Sequence, residues 1–178
     1  IDMLVGFSHE NIGAAVAAGV GAQPGRTVLY QLPSASGVTS RYGENKQHGV
    51  EVDVTTLDAE FPDAAAPPVL VKVDVEGMEA EVLRGARRLL AGRNPPLLVL
   101  EANVPCLAAA GTSYGELRVL LREAGGYELW ALTPGGLAAV SADALLVVVG
   151  GTAVPRALDK PLAALLDDAV AHGDFEFK

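Results

Sequence analysis

The chain has 178 residues, half of them hydrophobic, and a formal net charge of -9. That length suits one domain with its own core, the composition excludes a disordered chain, and the acidic balance argues against nucleic acid, whose phosphates need a basic surface. A single cysteine, Cys106, excludes an internal disulfide framework and any zinc site built from several thiolates. No apolar run approaches the roughly 20 residues of a membrane span, and no basic-then-apolar leader opens the chain. The expectation is a cytoplasmic protein with a small-molecule partner, no nucleic acid and no membrane; a homo-oligomer is compatible with the sequence.

Taken in order, short apolar strands alternate with helical patterns, with no internal repeat. Met3–Phe7 is strand-like, and the Ala-rich Asn11–Val20 reads as a helix that Gly13 and Gly19 weaken. Thr27–Leu32 is β-branched and aromatic, hence a strand. Pro33–His48 is a long loop of small and polar residues, and Ser40 within it is a candidate substrate contact. Val50–Val54 alternates as a half-exposed strand at a sheet edge. Val69–Val75 is apolar on both faces apart from Lys72, the pattern of a parallel strand covered on each side.

From Glu76 the period becomes helical. Met78, Val82, Ala86, Leu89 and Leu90 share one face, and the helix ends at Gly92 before Pro95 and Pro96. Pro96–Glu101 is a second buried strand ending in a carboxylate. Ser113–Glu116 fits a capping box, followed by Leu117, Leu120, Leu121 and Ala124 at helical spacing up to Gly125 and Gly126. Tyr127–Val140 reads as a hairpin turning at Pro134–Gly136, Ala144–Val149 as a strand, and Pro161–Ala171 as a last helix. The expected division is a domain over residues 1–152 and a C-terminal helix and tail over 153–178.

Such alternation argues for a doubly wound, mostly parallel sheet, in which ligands bind outside the carboxyl ends of the strands. Asp74 and Glu101 both sit at such ends and should line one crevice. Around Asp74 the chain reads DVEGMEAE, and this admits two readings. As structure, it is a strand-to-helix turn whose acids favour the positive helix terminus. As chemistry, Asp74, Glu76 and Glu101 are general bases or oxygen ligands for a hard cation, with Gly77 letting the backbone turn or approach a ligand. His9, His48 and His172 have no metal-ligand spacing, and Cys106 has no base among its neighbours and reads as a packed thiol.

The segment VLVKVDVEGMEAEVLRGARRLL, followed by PPLLVLEANVP, resembles the FkbM-type family of S-adenosylmethionine-dependent methyltransferases. The matching positions are Lys72, Asp74, Glu76, Gly77, Glu79, Leu83, Gly85, Ala86 and Glu101. Upstream, Thr56, Leu57 and Asp58 resemble the family's Thr-Leu-Asp segment, and Gly126–Tyr127 its helix end. The resemblance implies an α/β, Rossmann-like class I methyltransferase fold, mostly parallel with a C-terminal antiparallel hairpin, using S-adenosylmethionine to methylate a hydroxyl of a small molecule, sugar or natural-product intermediate. It implies catalytic roles for Asp74, Glu76 and Glu101, cofactor contacts from Glu10, Asp74 and Gly77, and substrate contacts from Glu101, Asn103 and Ser40, with no metal. The family's glycine-rich loop has no counterpart in these residues, and Ser8–His9 stand where an acid would hold the ribose, so the first strand is expected upstream. A non-catalytic binding or scaffold domain, and a metal-dependent hydrolase using Asp74, Glu76 and Glu101, are the alternatives.

Overall fold

The computed structural model describes residues 16–31, 39–40, 49–62, 67–68, 70–133, 136–139 and 146–150. Glu10, the strand expected at Met3–Phe7, the helix expected at Pro161–Ala171 and the whole of 153–178 lie outside them. Two sheets organise the rest. The first contains β1 (Gly19–Val20), β2 (Gly25–Gln31), β3 (Thr39–Ser40) and β4 (Gly49–Thr55) in the order β1-β4-β2-β3. The second contains β5 (Leu70–Val73), β6 (Leu97–Glu101), β7 (Glu128–Thr133), β8 (Gly136–Ala139) and β9 (Leu146–Gly150) in the order β5-β6-β9-β7-β8.

The sheets are mixed, not mostly parallel. Among the described strands β1 runs parallel to β4 and β5 to β6, while β2 is antiparallel to both β3 and β4. In the second sheet β9 lies antiparallel between β6 and β7, and β7 pairs antiparallel with β8, Trp130 opposite Ala139. Two further expectations are corrected here. Gly19–Val20 is a strand and not the end of a helix, because its backbone pairs with Val54 and Thr55 and Gly21 N–H continues the ladder to Thr55 O at 2.9 Å. β4 is not an edge strand either, since β2 covers one side and β1 the end of the other.

The strand β6 is the centre of the core. Leu98, Val99 and Leu100 are fully buried, so both its faces are covered, and each side chain of that size contributes roughly 1.5–3 kcal/mol by leaving water. Leu98 and Leu100 join one cluster with Ala80, Val82 and Leu83 of α2 (Glu79–Arg84), Leu89 and Leu90 of α3 (Arg87–Leu90), Leu107 of α4 (Val104–Ala109), and Leu117 and Leu121 of α5 (Tyr114–Gly125). β5 is less covered than its apolar pattern suggests: Val73 is buried but Leu70 and Lys72 are exposed. Among the described strands only β6 pairs with it.

The helix expected as one piece from Glu76 is two short ones, broken at Gly85–Ala86. A Cβ at Gly85 would stand 2.0 Å from Gly21 O, so the first sheet's chain packs against bare backbone there. Helix α1 (Leu57–Glu60), capped by the Thr56 hydroxyl, lies in the same region. Asp58 N–H donates to Gly85 O at 3.0 Å. The Asp58 carboxylate accepts from Arg88 N–H at 2.9 Å and Leu89 N–H at 2.8 Å. It thereby caps α3, which has no capping side chain of its own. The Arg88 guanidinium returns the link, donating to the carbonyls of Asp58, Phe61 (2.7 Å) and Pro62 (3.1 Å).

At the other end of the core, Ser113 caps α5 as its spacing predicts, accepting from Glu116 N–H at 3.3 Å. The Glu116 carboxylate is used elsewhere: it pairs with Arg84 and accepts from Thr112 Oγ1 at 3.0 Å. Buried Tyr127 donates its hydroxyl to Pro96 O at 3.1 Å, fixing the end of α5 to the start of β6.

Candidate active site

Because β5 and β6 are parallel and in register, with Val73 opposite Leu100, the next residues of each, Asp74 and Glu101, emerge side by side. The strands thus bring together the two carboxyls that the sequence placed at strand ends. Glu101 is half-buried, and when protonated its carboxyl can donate to Asp74. Burial pushes its carboxyl above the usual range, the charges of Asp74 and Glu76 and the Asp74 hydrogen bond push the same way, and Lys72 opposes them. Lys72 Nζ lies 3.2 Å from Asp74 Oδ2, on the exposed side of the pair.

Glu76 follows at once on a tight turn. Its φ is +49°, the one left-handed non-glycine residue among those described, and Gly77 follows at φ +99°. Met78 N–H closes the turn on Val75 O at 3.3 Å. These are the signs of a type I′ turn, in which glycine is favoured at the second position and a glutamate at the first is strained. Gly77 is required for a second reason: a Cβ there would lie 2.4 Å from Cys106 O. The close approach expected at Gly77 is therefore made by the chain's own α4. Cys106 Sγ in turn donates to Glu76 Oε2 at 3.2 Å. Burial first, then that hydrogen bond and the charges of Glu76, Glu79 and Glu101, push the thiol up to about 11. The same causes hold Cys106 mainly as the neutral thiol at ordinary pH.

Asn103 caps α4, its Oδ1 accepting from Cys106 N–H at 3.4 Å. Its carbonyl oxygen is thus committed within the chain. Ser40 lies on β3, opposite Tyr30 at the edge of the first sheet.

Two residues have more part in the site than the sequence suggested. Cys106 belongs to it through Glu76. Glu79, one of the acids read as favouring a helix terminus, is completely buried and accepts from Gly77 N–H at 3.2 Å. The sequence did carry a signal for α4: Asn103 followed within two residues by Pro105 is the start of a capped helix, and it puts Cys106 in the first turn.

The sequence has known counterparts. The family model described as a methyltransferase FkbM domain matches residues 10–129, more than half of the chain. The chain belongs to that family. A "Probable cytosol aminopeptidase" of Methylibium petroleiphilum is 46% identical over 52 residues, a stretch that makes up 29% of this chain and 11% of that protein. The likeness thus spans about a tenth of that relative's length. No solved structure matches.

In the FkbM domain, motif positions divide into two groups. Asp74, Glu76 and Glu101 meet at the ends of β5 and β6. Thr56, Asp58 and Gly85 hold α1 against the α2–α3 break, at which Ala86 is buried, and these positions lie in the fold's framework. Among the described residues no three His, Cys, Asp or Glu side chains group as metal ligands, and no helix is long and apolar enough to cross a membrane.

Proposed function

We propose that this domain is an S-adenosylmethionine-dependent O-methyltransferase acting on a hydroxyl of a small molecule, sugar or natural-product intermediate, and that the methyl group passes at the ends of β5 and β6 within a Rossmann-like arrangement. One observation carries the reading: three carboxyl groups, Asp74, Glu76 and Glu101, converge, with Lys72 beside Asp74 as the cation acting on Glu101 among the described residues. An excess of carboxylate suits a cationic ligand. S-adenosylmethionine bears a positive sulfonium and an ammonium, so this donor set fits it, and Asp74 with Glu76 would hold its charged end. When bound, the donor supplies an electrophilic methyl group.

The chain's own residues do the rest. The raised affinity of Glu101 for protons makes it the general base: in its ionised form it takes the proton of the acceptor hydroxyl, and once protonated it donates to Asp74. Lys72 limits the repulsion between the two carboxyls. Asn103 and Ser40 are the substrate contacts the family resemblance suggests, and Glu10 the corresponding cofactor contact. The hydrolase alternative draws no support from the short aminopeptidase likeness, which leaves most of that protein uncovered.

Calorimetry with S-adenosylmethionine on the natural full-length protein tests the reading, beside Asp74→Ala. Micromolar binding, about −8 kcal/mol, weakened at least tenfold in Asp74→Ala, is expected. Absence of binding by the folded full-length protein overturns it.

A further inference from the structure

Glu79 is a charged side chain that the proposed chemistry leaves unused, and it is buried completely. Its Oε1 accepts from Gly77 N–H, and its Oε2 has no hydrogen-bonding partner among the described residues. Burying a carboxyl that is only half satisfied costs stability. An apolar side chain of the same volume would serve the core better, since its neighbours Ala80, Val82 and Leu83 are core residues. What Glu79 holds is the one strained turn of the site. Glu76 and Gly77 have positive φ, and a non-glycine residue persists there only when its surroundings over-determine it.

Three contacts do so: Met78 N–H on Val75 O, the Cys106 carbonyl filling the space beside Gly77, and Glu79 Oε1 on the intervening peptide. Among the described residues, only the last is a side-chain hydrogen bond to the backbone of the turn. We propose that Glu79 is a positioning residue: by fixing the Gly77 peptide it keeps Glu76 left-handed, with its carboxylate on the Cys106 thiol beside the Asp74–Glu101 pair. Its consequence for methyl transfer rests on the function proposed above. The geometry itself does not, and can be read without donor or acceptor.

Cys106 is the reporter, being the chain's single cysteine and bonded to Glu76. Its titration is followed by the rate of reaction with an aromatic disulfide, in wild type, Glu79→Gln and Glu79→Met, each checked for a cooperative thermal transition. Glu79, Glu76 and Glu101 all act on this thiol, so both variants lose one direct charge. Only Glu79→Gln keeps an oxygen for the Gly77 N–H. The expected result is that Cys106 in Glu79→Met carries at least about five times more thiolate at pH 8 than in Glu79→Gln, a difference of about 0.7 in pKa. Equal titration in the two folded variants overturns the proposal. Hydrogen exchange at the Gly77 amide covers the case in which Glu79→Met does not fold. That amide should be protected in wild type and keep its protection in Glu79→Gln. Unprotected exchange in wild type, or loss of protection in Glu79→Gln, also overturns it. An intact thiol response in a protein that binds no methyl donor would leave the proposal standing and sink the methyltransferase reading alone.

Discussion

Asp58 is the residue whose replacement most directly separates framework from chemistry. Its carboxylate takes two backbone N–H groups of the first turn of α3, at 2.9 and 2.8 Å, across thirty residues of chain. Removing it in Asp58→Ala leaves Arg88 N–H and Leu89 N–H without their protein acceptors. A hydrogen bond to a charged group is worth about 1.5–3 kcal/mol and a cap about 0.5–2 kcal/mol. Arg88 is exposed and water replaces its acceptor, whereas Leu89 is buried, so the loss should be nearer one full charged bond than two: about 2 kcal/mol. For a chain of this size that lowers the midpoint of thermal unfolding by about 4–8 °C.

Asp58→Asn keeps one acceptor oxygen and should lose about half as much. Urea denaturation with unchanged slopes measures both. Calorimetry of the folded variants should give donor affinity indistinguishable from wild type, since Asp58 holds the break between α2 and α3 and not the ends of β5 and β6. A loss in Asp58→Ala smaller than about 0.5 kcal/mol, the ordinary scatter of surface substitutions, would refute the capping argument. Lost donor affinity at unchanged stability would move Asp58 from framework to site.

Two further outcomes follow from the carboxyl cluster. If Glu101 is the base, activity rises with pH through its raised pKa. Asp74→Asn removes the charge that pushes Glu101 up and should shift the acid limb of kcat/KM to lower pH, whatever it does to the maximum; Lys72→Met removes the opposing charge and should shift it higher. Gly77→Ala combines a positive φ of +99° with a Cβ 2.4 Å from Cys106 O, and should cost on the order of 2–4 kcal/mol in urea denaturation.

What was legible in the sequence was local or strictly periodic. The apolar run before Glu101 could only be a strand buried on both faces, and β6 is that. The parallel alignment that puts Asp74 beside Glu101 followed from two such runs separated by a helical pattern. The Ser113 cap needed three residues. The break at Gly85 was not legible, because a glycine in a helical pattern weakens a helix without showing what approaches it; here Gly21, far back in the chain, does. Nor was the capping role of Asp58, whose partners stand thirty residues away. Glu79 was hidden for another reason: a glutamate near a helix start is ordinarily solvated, and only the packing of α2 against its neighbours puts this one out of water. The mixed direction of the sheets escaped because period and composition fix a strand's faces and not the sense in which it pairs.

The position of β9 bears on how the domain assembles. It is the last described strand in the chain, yet it lies between β6 and β7, hydrogen-bonded to both. Until it arrives, β6 and β7 each present a bare ladder of amide and carbonyl groups, and β6 is apolar on both faces as well. During synthesis the second sheet therefore stands open at its middle, not at its rim, and closes only when residues 146–150 have emerged. Loss of that segment would remove the keystone between two halves of the sheet and leave two edges able to recruit strands from other chains, making aggregation rather than partial function the expected fate of a chain cut short before Leu146.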